Sequence, residues 1–466
     1  MIADLKPYAE YKESGLPWLG QVPGHWDVRP TFGAFQPNHE RNHGMKEKTV
    51  LSLSYGRIII KATEKWHGLV PESFETYQVV NPGDIVLRTV DLQNDHTSLR
   101  VGMVRNRGII TSAYLALRTT AGVSADFGFQ FLTVWDASKA IYGYGSGLRQ
   151  NLDFSHFKRM PVSVPPPAEQ AAIVRYLDWA NGRLERAIRA KRKVIALLGE
   201  QKQAIINRAV TRGLDPSVPL KRSGIPWLGD IPQHWNCVPI KRLLSRMDYG
   251  TSEASTEAGS VRVLTMGNIQ KGEVVMPRSG GLDDVPDALL LHRHDLLFTR
   301  TNGNPELVGK VGIFRGEVSD RVSFASYLVR LRVRGAYEAQ WLHLLLNSSA
   351  FWPFARSHAL VNLQTNLNST RYGQFLVPVP PRAEQAQLVG WIADKSNVPN
   401  SAISRLEREI ELLREYRTRL VADVVTGKLD VRHAALHLPD EAPPDTVEDD
   451  ADLNRDPDAV DEEPIA

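Results

Sequence analysis

Two stretches of this chain gather the side chains that read the edges of nucleic-acid bases. The first holds Arg88, Gln93, Asn94, Asp95, His96, Ser98 and Arg100; the second holds Arg300, Asn302, Asn304, Glu306 and Lys310. Arginine and lysine offer donors that match guanine O6 and N7. Asparagine and glutamine pair with adenine, and a carboxylate accepts from the cytosine amino group. A single polar loop residue is ordinarily just hydrated, but two loops composed this way, taken as sets, point to recognition. The candidate DNA-contacting residues are therefore Arg88, Gln93, Asn94, His96 and Arg100, together with Arg300, Asn302, Asn304 and Lys310.

Bond-making chemistry is poorly represented. A phosphate-binding Gly-x-x-x-x-Gly-Lys-Ser/Thr loop is absent, and Gly427-Lys428 lacks both the preceding glycine and the following hydroxyl. Cysteine and histidine nowhere take metal-ligand spacing. His292 and His294, beside Asp295, read as an exposed turn before a strand. His25 and His234 each precede a tryptophan in a proline-bounded turn and read as packing. The Asn/Asp-Pro-Pro-aromatic motif of amino-methyltransferases is missing: Asn81-Pro82-Gly83 and Asn304-Pro305-Glu306 both lack the second proline and the aromatic. No catalytic residue, metal site or cofactor of this chain's own is expected.

The elements that must carry the two loops come in duplicate. Ser14-Gly15-Leu16-Pro17-Trp18-Leu19-Gly20-Gln21-Val22-Pro23-Gly24-His25-Trp26 returns as Ser223-Gly224-Ile225-Pro226-Trp227-Leu228-Gly229-Asp230-Ile231-Pro232-Gln233-His234-Trp235, offset by 209. Val164-Pro165-Pro166-Pro167-Ala168-Glu169-Gln170 returns as Val379-Pro380-Pro381-Arg382-Ala383-Glu384-Gln385, and Ala209-Val210-Thr211-Arg212-Gly213-Leu214-Asp215 as Val424-Val425-Thr426-Gly427-Lys428-Leu429-Asp430, both offset by 215. The segment from the prolines to Leu-Asp is thus held to length, and the six-residue difference falls between the first two motifs. A duplicated chain of this kind predicts two similar lobes related by a pseudo-two-fold axis.

The fixed-length segments read as helix. Apolar residues recur at spacings of three and four: Leu184, Ile188, Ile195, Leu198 and Ile205 in the first copy, and Ile403, Leu406, Ile410, Leu413 and Leu420 in the second. Dense charge on the flanks leaves a narrow seam, which is the pattern of a coiled coil. These ten residues are the candidate seam and subunit-docking surface. Asn181-Gly182 and Pro399 predict a break before each long helix, leaving roughly 25–30 residues or about 40–45 Å. The variable heads between the motifs look α+β. Asp84-Ile85-Val86-Leu87 echoes Asp295-Leu296-Leu297-Phe298, and Asn151-Leu152 echoes Asn366-Leu367, while the loops between such echoes are unlike. One scaffold with two specificities follows, because loops on a rigid scaffold carry recognition.

The expected fold is α+β: two target-recognition domains joined by two long helices pairing as an antiparallel coiled coil, with a pseudo-two-fold internal repeat. The expected parts are a first head with its motif over 1–163, a first spacer helix over 164–215, a second head over 216–378, a second spacer helix over 379–432, and an acidic disordered tail over 433–466. The net charge of +3 conceals an asymmetry: residues 440–466 hold 12 acids against Arg455 alone, so the remainder carries 55 bases against 41 acids, a net of +14. A basic body fits a polyanionic partner. The single Cys237 fits a reducing compartment. The absence of a signal peptide or an apolar run of membrane-spanning length predicts a cytoplasmic protein that does not engage a membrane.

The order of these parts, Trp-Leu-Gly…Pro-x-His-Trp, variable head, Pro-Pro-x-x-Glu-Gln, long helix, Leu-Asp, then all again, resembles the specificity subunit of type I restriction–modification systems, from residue 11 to about 430. Leu297-Phe298-Thr299-Arg300-Thr301-Asn302-Gly303-Asn304-Pro305-Glu306-Leu307-Val308-Gly309-Lys310 also resembles a stretch common in such target-recognition domains; the first head has Val86-Leu87-Arg88-Thr89-Val90-Asp91-Leu92 in its place. The resemblance implies a non-catalytic chain in which each head reads one half of a split site in double-stranded DNA. The helices would set the gap and dock two modification (methyltransferase) subunits, which bind S-adenosylmethionine. Restriction (translocase and nuclease) subunits using ATP and Mg would complete the complex. From the residues alone, a coiled-coil adaptor binding protein, or a stand-alone nucleic-acid enzyme, stands as the alternative.

Overall fold

The structure is a computed structural model, and it describes residues 5–61, 73–93, 99–144, 151–256, 259–277, 280–302, 304–316, 321–361 and 365–439. The chain divides into two compact units, one of residues 1–190 with 409–466, the other of residues 191–408.

In the first unit, a four-stranded antiparallel sheet is built from β1 (Phe35–Pro37), β2 (Ile85–Leu87), β3 (Val101–Met103) and β4 (Leu115–Thr119), in the order β1-β4-β2-β3. Strands β2 and β3 are apolar throughout and fully buried, as expected of strands covered on both faces. Helix α1 (Ala125–Ala137) starts at Ser124, whose hydroxyl accepts the Phe127 N–H, and buries Phe127, Phe131 and Trp135 against the sheet. The unit also holds the first half of α2 (Pro167–Arg212).

The second unit repeats the sheet and extends it. Strands β5 (Leu244–Tyr249), β6 (Ile269–Gln270), β7 (Glu273–Val274), β8 (Leu296–Thr299), β9 (Val311–Ile313) and β10 (Leu328–Val333) lie in the order β5-β10-β8-β9-β7-β6. Helix α3 (Ala339–Leu346) covers this sheet with Trp341, Leu342 and Leu345. Registers agree between the units: Val86 faces Gly102 as Leu297 faces Gly312, and Ile85 faces Leu117 as Leu296 faces Leu331. Each glycine is required by packing, since an added Cβ would lie 2.5 Å from Leu53 at Gly102 and 2.8 Å from Ile269 at Gly312.

The second long helix, α4 (Arg382–Val425), begins in the second unit and ends in the first. Within each unit the two helices are in contact. In the first, Arg417 Nη1 donates to Glu185 at 3.2 Å; in the second, Lys202 Nζ donates to Asn400 at 2.9 Å. Under the 215-residue offset, Glu185 corresponds to Asn400 and Lys202 to Arg417, so one contact is made twice.

The helices are longer than the sequence suggests. Helix α2 runs 46 residues through Asn181-Gly182, and α4 runs 44 residues through Pro399, so neither expected break exists. A helical glycine costs only about 1 kcal/mol, and Gly182 is flanked by the buried Leu177, Ala180, Leu184 and Ile188. Pro399 costs more, about 3 kcal/mol, but it is buried at the end of the stripe formed by Leu388, Ile392 and Ser396, and the helix continues across it.

The first unit also closes the two ends of the described chain on each other. The Asp430 N–H donates to the Lys6 carbonyl at 2.8 Å, and Arg432 lies 5.1 Å over the Tyr8 ring. Residues 433–439, grouped with the acidic tail in the sequence, belong to the fold: helix α5 (Arg432–Leu436) and Leu438 bury Val431, Ala435 and Leu438 in the core. The acidic run of residues 440–466 lies outside the described residues.

Candidate nucleic-acid interface

The two loops spring from equivalent places. Asp84 precedes β2 and accepts from the Asn81 N–H at 2.9 Å and Arg118 Nε at 2.9 Å; Asp295 precedes β8 and accepts from the His292 N–H at 2.8 Å and Arg332 Nε at 2.8 Å. Both arginines are held above their ordinary value, chiefly by the hydrogen bond to the carboxylate. Past the strands, the Arg88 N–H donates to the Arg100 carbonyl as the Thr299 N–H donates to that of Lys310. The Leu152 N–H donates to the Thr89 carbonyl as the Leu367 N–H donates to that of Arg300. Arg300 therefore occupies the place of Thr89, and from that point the loops diverge.

In the first head, Arg100 is wholly buried. Its guanidinium donates to the carbonyls of Val90 (2.9 Å), Asp91 (3.2 Å) and Arg88 (3.3 Å) and to the Tyr142 hydroxyl (3.2 Å), while its own N–H donates to the Asp136 carboxylate at 2.8 Å. A buried cation persists only where its donors are satisfied, and these bonds spend them on the loop's own backbone. The expectation of a base contact from Arg100 is corrected accordingly: it shapes the loop. Arg88 is half-buried and Gln93 exposed; Asn94 and His96, with Asp95 and Ser98, lie outside the described residues.

In the second head, the side-chain carbonyl of Asn302 accepts the Asn304 N–H at 2.8 Å, and that of Asn304 accepts the Glu306 N–H at 2.9 Å. Such turns use one of the two acceptor positions of each amide oxygen and fix the direction of the side chain, while the amino group stays available. Lys310 is half-buried. Arg300 is half-buried: its guanidinium lies 5.0 Å over the Tyr249 ring, and its Nε is buried without a hydrogen-bond partner among the described residues. Arg315, Arg321, Arg330, Arg332 and Arg382 of the same unit all pair with carboxylates. Tyr249 was not legible as a site residue. It ends β5, some fifty positions before Arg300, and only the sheet brings the two together.

Of the ten seam residues, Leu184, Ile188, Ile410 and Leu420 are buried, and Ile195, Leu198, Ile205, Ile403, Leu406 and Leu413 are half-buried. The duplicated motifs meet at a carboxylate. Glu169 accepts from Trp26 Nε1 (2.8 Å) and Tyr8 Oη, with His25 Nε2 at 2.8 Å; Glu384 accepts from Trp235 Nε1 (3.1 Å), with His234 Nε2 at 2.8 Å. Burial, then the bond to Glu169, pushes the Tyr8 hydroxyl far above its ordinary value. Both histidines thus serve the junction between motif and helix. His292 and His294 lie in a turn before β8, His294 with φ of 70°. No group of three or more metal-ligating side chains and no helix long and apolar enough to cross a membrane occurs among the described residues.

No protein-family model matches the chain. The chain is similar to specificity subunits of type I restriction enzymes. It is 24% identical to the type I restriction enzyme EcoKI specificity subunit of Escherichia coli over 297 residues, an alignment that spans 61% of each protein. Its fold matches that of a solved chain from work on complex assembly and conformational transition of the type I R-M system, with a TM-score of 0.58 and 13% identity over 88% of this chain and 99% of the other.

Proposed function

We propose that this chain is the DNA-recognition subunit of a type I restriction–modification complex and catalyses no reaction itself. One observation carries the reading: the two sheets share a strand order and a set of equivalent hydrogen bonds, from Asp84–Arg118 and Asp295–Arg332 to the carbonyls of Thr89 and Arg300, and then present unlike loops. Each head reads one half of a two-part site in double-stranded DNA. The paired helices fix the gap between the halves and offer docking surfaces to two methyltransferase subunits. Those subunits supply the S-adenosylmethionine chemistry, and restriction subunits using ATP and Mg join the same assembly in the cytoplasm. The similarity to specificity subunits and the net charge of +14 outside the acidic end support this reading. The test is co-expression with a methyltransferase partner followed by mapping of methylated sites. A split, asymmetric consensus is expected, whereas a single contiguous site, or methylation that does not depend on this chain, overturns the proposal.

A further inference from the structure

We propose that Tyr249 is the positioning residue for Arg300, and that together they form the guanine-reading element of the second head. The inference rests on the DNA-recognition reading above. The Arg300 guanidinium lies over an aromatic face with no carboxylate partner among the described residues, whereas Arg330, which lies over the Phe324 ring, is paired with Asp248. An aromatic face stabilises a cation without occupying its donors. Held over Tyr249, the fork keeps its outer N–H groups for two acceptors side by side, which is what guanine O6 and N7 present.

The platform is itself fixed. Tyr249 ends β5, where it faces Val329 of β10, and its hydroxyl is hydrogen-bonded to Ser369. Ser369 opens a short helix whose N-cap, Asn368, follows Leu367, the residue whose N–H holds the Arg300 carbonyl at 2.7 Å. One segment therefore anchors both the ring and the backbone of the arginine it supports. Tyr249 is 42% exposed, so the stack is open to solvent rather than sealed in the core. At the equivalent place in the first head Thr89 stands instead of Arg300, buried and bonded through its hydroxyl to the Ala113 carbonyl, and the arginine that lies over a tyrosine there, Arg100 over Tyr142, is itself buried.

The test uses the full chain with its methyltransferase subunits and a randomised duplex library. Wild-type selection should return a two-part consensus; if it returns none, the DNA-recognition reading fails and this proposal with it. Given a consensus, Arg300→Ala should erase a guanine preference at one position of one half-site, about 10- to 100-fold in relative affinity, leaving the other half-site unchanged. Tyr249→Leu should weaken the same position, and Tyr249→Phe, which keeps the ring, should retain most of the preference. In the Arg300→Ala background, Tyr249→Leu should change that position no further. A Tyr249→Leu effect spread evenly over all duplexes, a loss at a different position, or additivity with Arg300→Ala overturns the assignment. Should Tyr249→Leu fold poorly, Tyr249→His supplies a second, smaller ring, and its preference must fall between those of Tyr249→Phe and Arg300→Ala.

Discussion

Replacing Arg100 by alanine removes a guanidinium that serves three backbone carbonyls and a hydroxyl in the buried floor of the first loop. Leaving such acceptors unpaired should cost about 3 kcal/mol, read as a lower midpoint in chemical denaturation. Arg300→Ala, which leaves no carboxylate unpaired, should change stability by less than about 1 kcal/mol while altering selectivity. Equal stability losses would mean the two arginines play the same part. The junction carboxylates differ in a related way. Glu169 is 5% exposed and takes hydrogens from Trp26 and Tyr8; Glu384 lacks the tyrosine, because Ser217 stands at the position of Tyr8, and it is more open. Glu169→Ala should therefore cost about 2–4 kcal/mol and Glu384→Ala less. The sequence singles out both arginines because polar loop composition is visible in it. Which of the two turns inward is decided by Asp136, Tyr142 and the carbonyls of residues 88–91, and no local pattern encodes that.

At the scale of elements, the strand echoes at Asp84 and Asp295 mark the strands that carry the loops, because an acid capping an apolar run is a local signal. The helix boundaries are not legible: Gly182 and Pro399 break helices by local preference, and burial along the stripe outweighs them. A Cβ added at Gly182 meets only Arg186 Nη1, at 3.7 Å. Gly182→Ala should therefore stabilise the protein by about 0.5–1 kcal/mol, a small rise in melting temperature; a fall would mean the glycine serves a bend. The β6–β7 hairpin supplies a pH-dependent test. His343 Nε2 lies 2.6 Å from the Gly272 carbonyl in its turn, and burial holds the imidazole below its ordinary value despite that bond. Unfolded, histidine titrates near about 6.5. Just below that value the unfolded chain takes up a proton that the folded chain refuses, so this contribution is complete above about 6.5 and declines as pH falls. Denaturation midpoints at pH 7.5 and 5.5 should differ more for wild type than for His343→Gln, and equal differences would remove His343 as the cause.

For the whole molecule, the duplication is the most legible feature, and the fixed offset of 215 its most consequential number. The Glu185–Arg417 and Lys202–Asn400 contacts place both helix pairs in one register, since each pair of residue numbers has the same sum. Insertions matched about the centre of that register preserve both contacts. Adding four residues after Lys193 and four after Arg408 keeps the apolar stripe nearly in phase, because four is close to the period of about 3.6, and lengthens each helix by about 6 Å. At about 3.4 Å per base pair, a chain whose helices measure the distance between half-sites should then methylate sites whose gap is one or two pairs longer, with both half-sites unchanged. Two-residue insertions at the same places rotate the stripe by about 200° and should abolish assembly. If the four-residue variant methylates the original spacing at the original rate, the equal lengths of the two helical segments have another cause, and spacing is set by the heads.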